Sequence, residues 1–333
     1  MRKMFRVRSI EKRLRGFSFV DLFSGIGGFH LALRSYGAKC VFASEINKAA
    51  AKVYSNNFKI QPKGDIREIK VEEIPKHDIL CAGFPCQPFS ISGNQKGFRD
   101  ENGRLYFEIL RIAKHHKPKL ILLENVKNLL THNNGKTIEF IEKSLQKLGY
   151  KTYKEVICAT NFSVPQARKR IYIVAFRDDL EVKEFEFPKG KGKLKSISDI
   201  LEDDVDAHYE INVPYTINIA QYDNIKKTNL LLRIGSVGQG RQGERIYSIK
   251  GQGITLSSQG GGVGGRTGMY YINNTVRKLT PRECARMMGF PETFKVAETD
   301  AECYRQFGNS VVVNVLQEIV GEASKYITRG GTK

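Results

Sequence analysis

The chain has 333 residues, 41% of them hydrophobic, and its 54 Lys and Arg outweigh 35 Asp and Glu for a formal net charge of +19. That length supports one large domain and a smaller one without staples, and the 6 cysteines include no C-x-x-C pair to build a zinc site. No apolar run approaches the roughly 18 residues of a membrane span, and the basic N-terminus lacks a signal peptide's apolar stretch, so we expect a cytoplasmic protein with reduced thiols and a polyanionic partner, nucleic acid first.

The first fifteen residues carry seven cations, either a phosphate-contacting arm or a tail. From Phe17 the pattern reads strand, glycine turn, helix (F-S-F-V-D-L-F, S-G-I-G-G, F-H-L-A-L-R-S-Y), the first unit of a doubly wound α/β sheet. Gly25, Gly27 and Gly28 are expected to let a ligand approach the backbone at the helix N-terminus, although G-x-G-G departs from the G-x-G-x-x-G dinucleotide fingerprint. A second strand over 39–44 ends on Glu45, where an acid either holds ribose hydroxyls or sits solvated at a helix start. After a helix over 48–56, Asp65 in K-G-D-I-R is either an adenine acceptor at a strand end or a turn aspartate.

Next comes D-I-L-C-A-G-F-P-C-Q-P-F-S-I-S-G, over 78–93. Ile79 to Ala82 has the composition of a strand buried on both faces, and Pro85 and Pro88 stiffen the loop that presents Cys86; the alternative is a tight structural loop with a small buried cysteine. The polar, glycine-containing stretch from Ser92, S-G-N-Q-K-G-F-R-D-E-N-G-R, reads as a lid. A helix over 105–115 precedes the buried strand L-I-L-L, which ends on Glu124. An acid there is desolvated, so its pKa rises and the protonated form, a general acid, is favoured; the alternative is a helix cap. Helix 136–148 and a strand over 154–159 lead to Q-A-R-K-R, in which Gln166, Arg168 and Arg170 alternate onto one face. Both guanidiniums can then point toward a phosphate or a base, with a surface charge pair as the alternative for either.

Near Phe187-Pro188 the composition shifts. Twelve of the 31 glycines lie between Gly235 and Gly268, interleaved with R-I-Y-S-I, G-I-T-L-S-S and M-Y-Y-I, which predicts a small β domain with glycine loops. Gln242 and Arg245 in G-R-Q-G-E-R are expected on loops, as side chains suited to reading bases. A helix over 281–288 follows, Asn309 is expected to end a loop, and an apolar helix over 311–319 is expected to pack back on the first domain.

In order over residues 17–320, F-V-D-L-F-S-G-I-G-G-F, Glu45, G-D-I, G-F-P-C-Q-P-F-S, L-L-E-N-V, Q-A-R-K-R and Q-F-G-N-S-V resemble the motif set of the DNA cytosine-5 methyltransferases. The resemblance implies a Rossmann-like α/β methyltransferase sheet (1–198 with 309–333), a smaller glycine-rich target-recognition domain (199–280) and a hinge (281–308). It implies S-adenosyl-L-methionine as methyl donor, double-stranded DNA as substrate, no metal, and a monomer serving a restriction-modification system. Around the cofactor it implies Phe23, Gly25, Ile26, Gly28, Glu45, Ile46, Asp65, Ile66, Pro85, Leu105 and Asn309. Around the base it implies Cys86, Glu124, Arg168 and Arg170, and against DNA Ser92, Gln242 and Arg245. One bacterial member suggests a G-C-G-C site with the inner cytosine methylated. Ile46 stands where that member has tryptophan, and Gln259 where it has tyrosine. An RNA cytosine-5 methyltransferase and a catalytically silent DNA-binding module on the same fold are the competing expectations.

Overall fold

The computed structural model describes residues 12–84, 103–190, 192–218, 222–265 and 267–328. The expected roles of the N-terminal arm up to residue 11, of Pro85, Cys86 and Ser92, and of the lid therefore lie outside the described residues.

Alternation along the buried strands builds the large core. Strands β1 (Ser18–Leu22), β2 (Lys39–Ser44), β3 (Ile79–Gly83), β4 (Leu120–Val126), β5 (Tyr150–Cys158) and β6 (Lys169–Arg177) form one sheet in the order β2-β1-β3-β4-β6-β5. The first four run parallel, while β6 is antiparallel to both β4 and β5. Because successive side chains leave a strand on opposite faces, Phe19, Cys81, Leu122 and Val174 join one core layer. Val20, Leu80, Ile121 and Ile173 join the other. Helices α1 (Gly28–Ser35) and α2 (Lys48–Phe58) cover the first layer, and α3 (Gly103–His116) and α4 (Lys136–Lys147) the second.

A second sheet, β7 (Tyr215–Ile217), β8 (Arg233–Val237), β9 (Arg245–Ser248), β10 (Met269–Ile272) and β11 (Thr275–Arg277), has its own small core of Ile234, Val237, Ile246, Met269 and Val276. Asn273 and Asn274, at φ 50° and 66°, make the tight turn between β10 and β11, which is the backbone that a two-residue hairpin loop requires. Thr280, Pro281 and Glu283 then start α5 (Pro281–Met287) with a capping box. Helices α6 (Asp300–Asn309) and α7 (Val313–Ala323) return the chain to the large sheet. Cys284, Met287, Phe290 and Phe307, from the segment expected to be a hinge, are buried in the same core layer as Phe19 and Leu122.

The structure departs from the sequence reading at several places. G-I-T-L-S-S forms no strand: it makes a single bridge, Gly253 to Gln166, and its backbone is otherwise bonded largely by side chains. Gln242 opens a short 3-10 turn and Arg245 is the first residue of β9, so neither lies on an irregular loop. Asn309 is the last residue of α6, not the end of a loop, and α7 begins at Val313. Asp65 follows no regular strand; it caps the 3-10 turn Ile66–Glu68 by accepting from the Arg67 amide.

Candidate active site

At the carboxyl ends of β1 to β4 lies a cleft of about 630 Å³, where open α/β sheets bind their ligands. Its near end is built by the glycine turn. Phe23 takes a left-handed φ of 52°, a conformation that non-glycine residues rarely adopt and that concentrates at ligand sites. Gly25 has φ +52° with open space where a side chain would be, and its amide donates to Glu45 Oε2 at 2.8 Å. The other two glycines serve packing. A Cβ on Gly27 would stand 2.2 Å from the Phe58 ring, and one on Gly28 would stand 2.4 Å from Val311 Cγ2. Close ligand approach is therefore open at Gly25, while Gly27 and Gly28 let α1 meet α2 and the start of the last helical segment.

Glu45 accepts from two backbone amides, Gly25 at Oε2 and Asn47 at Oε1, each at 2.8 Å. Each carboxylate oxygen keeps a lone pair for a ligand hydroxyl. Ile46 lines the cleft and is 65% exposed. Asp65 also lines it, held by Arg67 through Nε and Nη2, and this bond pulls its carboxyl below the ordinary value. Ile26, Ile66, Leu105 and Asn309 complete this wall.

The far end holds the acid. Glu124 is buried near the end of β4, opposite Gly83 of β3, where the chain leaves the sheet toward Cys86. Arg170 of β6 brings Nε to 3.2 Å from Glu124 Oε1. Burial raises the Glu124 pKa, while Arg170 and then Arg168 pull it down; the net shift is upward. The carboxyl is thus biased toward the neutral form that can donate a hydrogen bond.

Arg168 and Arg170 are not equivalent. Arg170 reaches the acid, whereas Arg168 is buried and donates to the carbonyls of Leu256, Gly308 and Ser310 at 3.2, 3.0 and 2.7 Å. Both border the cleft, but Arg168's Nη groups hold backbone and are not aimed at a phosphate. Gln166 likewise bonds Met287 O and the Leu256 amide. Gln242 and Arg245 do not line the cleft. The turn that carries them rests on the glycine run, with Gly264 N donating to Gly243 O at 3.0 Å. Arg245 Nε is buried and has no partner among the described residues.

Sequence reasoning passed over Asn125, whose buried side chain donates to Phe84 O at 2.8 Å and accepts from the Val126 amide. The signal was a polar residue directly after the acid in an otherwise apolar strand. Also missed were Ser24 and Gln306. Among the described residues, two buried polar atoms on the cleft wall, Ser24 Oγ and Gln306 Nε2, make no hydrogen bond, and Glu124 Oε1 has only its ion pair with Arg170. Such atoms are costly unless a ligand satisfies them. With Glu45 for a diol and Asp65 for an amino group, the wall suits a ligand that carries a nucleoside at one end and a polar tail. Among the described residues no cluster of His, Cys, Asp and Glu is placed to hold a metal, and no helix is long and apolar enough to cross a membrane.

The C-5 cytosine-specific DNA methylase family matches residues 17–325. Type II methyltransferase M.HhaI of Haemophilus parahaemolyticus is 47% identical over 93% of this chain and 94% of its own length. M.HpaII of Haemophilus parainfluenzae is 39% identical over 94% and 91%. Among solved structures, the Dnmt2 methyltransferase of S. pombe superposes with a TM-score of 0.71 at 24% identity, covering 92% of this chain and 97% of that one.

Proposed function

The chain belongs to the C-5 cytosine-specific DNA methylase family and is a DNA cytosine-5 methyltransferase, and from that premise we propose that it methylates a cytosine flipped out of duplex DNA, at C5, within G-C-G-C. The observation that carries the reading is the continuity of one cleft from Glu45 and Asp65 to Glu124 and Arg170. A nucleoside cofactor at one end then shares a chamber with an acid at the other.

S-adenosyl-L-methionine, held by Phe23, Gly25, Glu45, Asp65 and their neighbours, would supply an electrophilic methyl group. Cys86 is the proposed nucleophile. Its thiolate adds to C6 of cytosine, which drives electron density to C5, a poor nucleophile until that addition. Glu124, whose pKa burial raises, donates in its protonated form to N3 and draws that density through the ring. C5 takes the methyl group, a base removes the C5 proton, and the cysteine leaves. The ring needs access on both faces, so the base must leave the stack, at a cost of a few kcal/mol. The second sheet and its glycine run are proposed to offset that cost as the target-recognition part, acting with Ser92 of the expected lid. Arg245 would read a guanine through O6 and N7, worth about 1–3 kcal/mol of discrimination, and Gln242 would meet the guanine left unpaired. A restriction-modification setting follows from the type II relatives.

Bisulfite mapping of DNA from cells expressing the chain tests both levels. Methylated inner cytosines in GCGC are expected, and Arg245→Ala should relax the site at one guanine. A different consensus would remove the specificity claim alone. Methyl transfer to tRNA and not to duplex DNA would overturn the substrate assignment.

A further inference from the structure

The stem of the glycine run is stitched to the segment that leads through Arg168 into β6. Gly253 N donates to Pro165 O at 2.8 Å, Ala167 N to Gly253 O at 2.9 Å, and Thr255 Oγ1 to Ala167 O at 2.8 Å. Arg168 then closes the arrangement from inside. Its Nη1 bonds Leu256 O, four residues before Gly260 opens the run, and its Nη2 bonds Gly308 O and Ser310 O, on either side of Asn309 in the cofactor wall. The two backbones also touch directly. A Cβ on Gly308 would lie 2.3 Å from Ser257 C and from Ser258 N. Any displacement of the wall at Asn309 therefore either carries Leu256 with it or breaks a buried, charge-assisted bond.

We infer that Arg168 is a positioning residue that couples the two substrates: occupation of the cofactor wall sets the glycine run in the geometry that meets DNA, and DNA in turn firms the wall. The inference rests on the proposed assignment of the cleft to cofactor and of the run to DNA. A planar guanidinium holds three carbonyls in one fixed fork, whereas an ammonium in its place keeps the charge without the fork. Burial lowers the Arg168 pKa to about 10, so the group stays charged at neutral pH.

The test is a binding cycle with S-adenosylhomocysteine and a duplex that carries the mapped site, for wild type and Arg168→Lys. Wild type should bind each ligand at least about fivefold tighter when the other is present, by the same factor in both directions. Arg168→Lys should fold and bind each ligand singly, but with a coupling factor near one. A variant that keeps the wild-type factor, or a wild type with none, overturns the inference. Should Arg168→Lys fail to fold, amide hydrogen exchange on wild type decides: S-adenosylhomocysteine alone should slow exchange over residues 256–265, and unchanged exchange overturns the coupling. A wild type that transfers no methyl group to DNA would instead remove the reading beneath it.

Discussion

Asn125 Nδ2 donates to the carbonyl of Phe84 across 2.8 Å, tying the strand that carries Glu124 to the last described residue before Cys86. The bond is buried, and Asn125 Oδ1 accepts from the Val126 amide, so the side chain cannot turn away. One residue thus fixes the spacing between the acid and the root of the cysteine loop. Asn125→Ala should lower kcat by about one to two powers of ten, the scale of a misplaced catalytic group, while the affinity for S-adenosylhomocysteine stays near wild type. Unchanged kcat in steady-state assays would show that the loop is aimed by something else.

Cys86→Ser should abolish methylation and leave specific DNA binding, because groove contacts and flipping need no covalent bond. Wild type should form a stable adduct with a duplex carrying 5-fluorocytosine at the target, since fluorine does not leave as a proton does. Absence of that adduct on denaturing gels, or methylation by the serine variant, would remove Cys86 from its role.

Glu124→Gln should lose most of the rate and keep cofactor binding. Burial holds the wild-type carboxyl above its ordinary value, so its active, protonated form is depleted as pH rises through that raised pKa. The wild-type kcat profile should therefore carry a falling alkaline limb that the variant lacks. Identical profiles would mean that another group titrates there.

Stability should weaken in mild acid partly through His77. Its ring is buried beside His116 and Asp78, Nδ1 donates to Pro75 O, and Nε2 has no partner among the described residues. Burial lowers its pKa from 6.5 to about 4. The unfolded chain binds this proton first, so the stabilisation is full above pH 6.5 and is lost as pH falls toward 4. At pH 5 the loss is on the order of 2 kcal/mol. His77→Gln should shrink the drop in denaturant-measured stability between pH 7 and pH 5 by about that amount; an equal drop in both proteins would contradict the assignment.

Elements with strong local patterns were legible in the sequence. Strand 39–44 coincides with β2, and the helices over 48–56, 105–115, 136–148 and 281–288 differ from α2 to α5 by one or two residues at their ends. Glu124 at the end of four apolar residues announced its burial. Contacts distant in sequence were not legible. Gly27 and Gly28 look like ligand-facing glycines until Phe58 and Val311 arrive against them. Arg168 and Arg170 alternate onto one face in sequence, yet only folding brings Gly308 and Ser310 to claim Arg168, just before β6 begins. G-I-T-L-S-S has strand composition, but its neighbour is a side-chain clamp and not a ladder, so propensity misled.

The cleft wall at residues 305–311 is made after all six strands of the large sheet. Val311 fills the space over Gly28, and Gly321 of α7 lies against Tyr36, at the end of α1. On the ribosome, β1 through β6 can emerge and pair, but the cleft still lacks this wall. A nascent chain stalled before residue 305 should retain no S-adenosylhomocysteine. Translation that stops before residue 305 would then release no fragment able to mark DNA, so methylation is licensed only once synthesis has passed this wall.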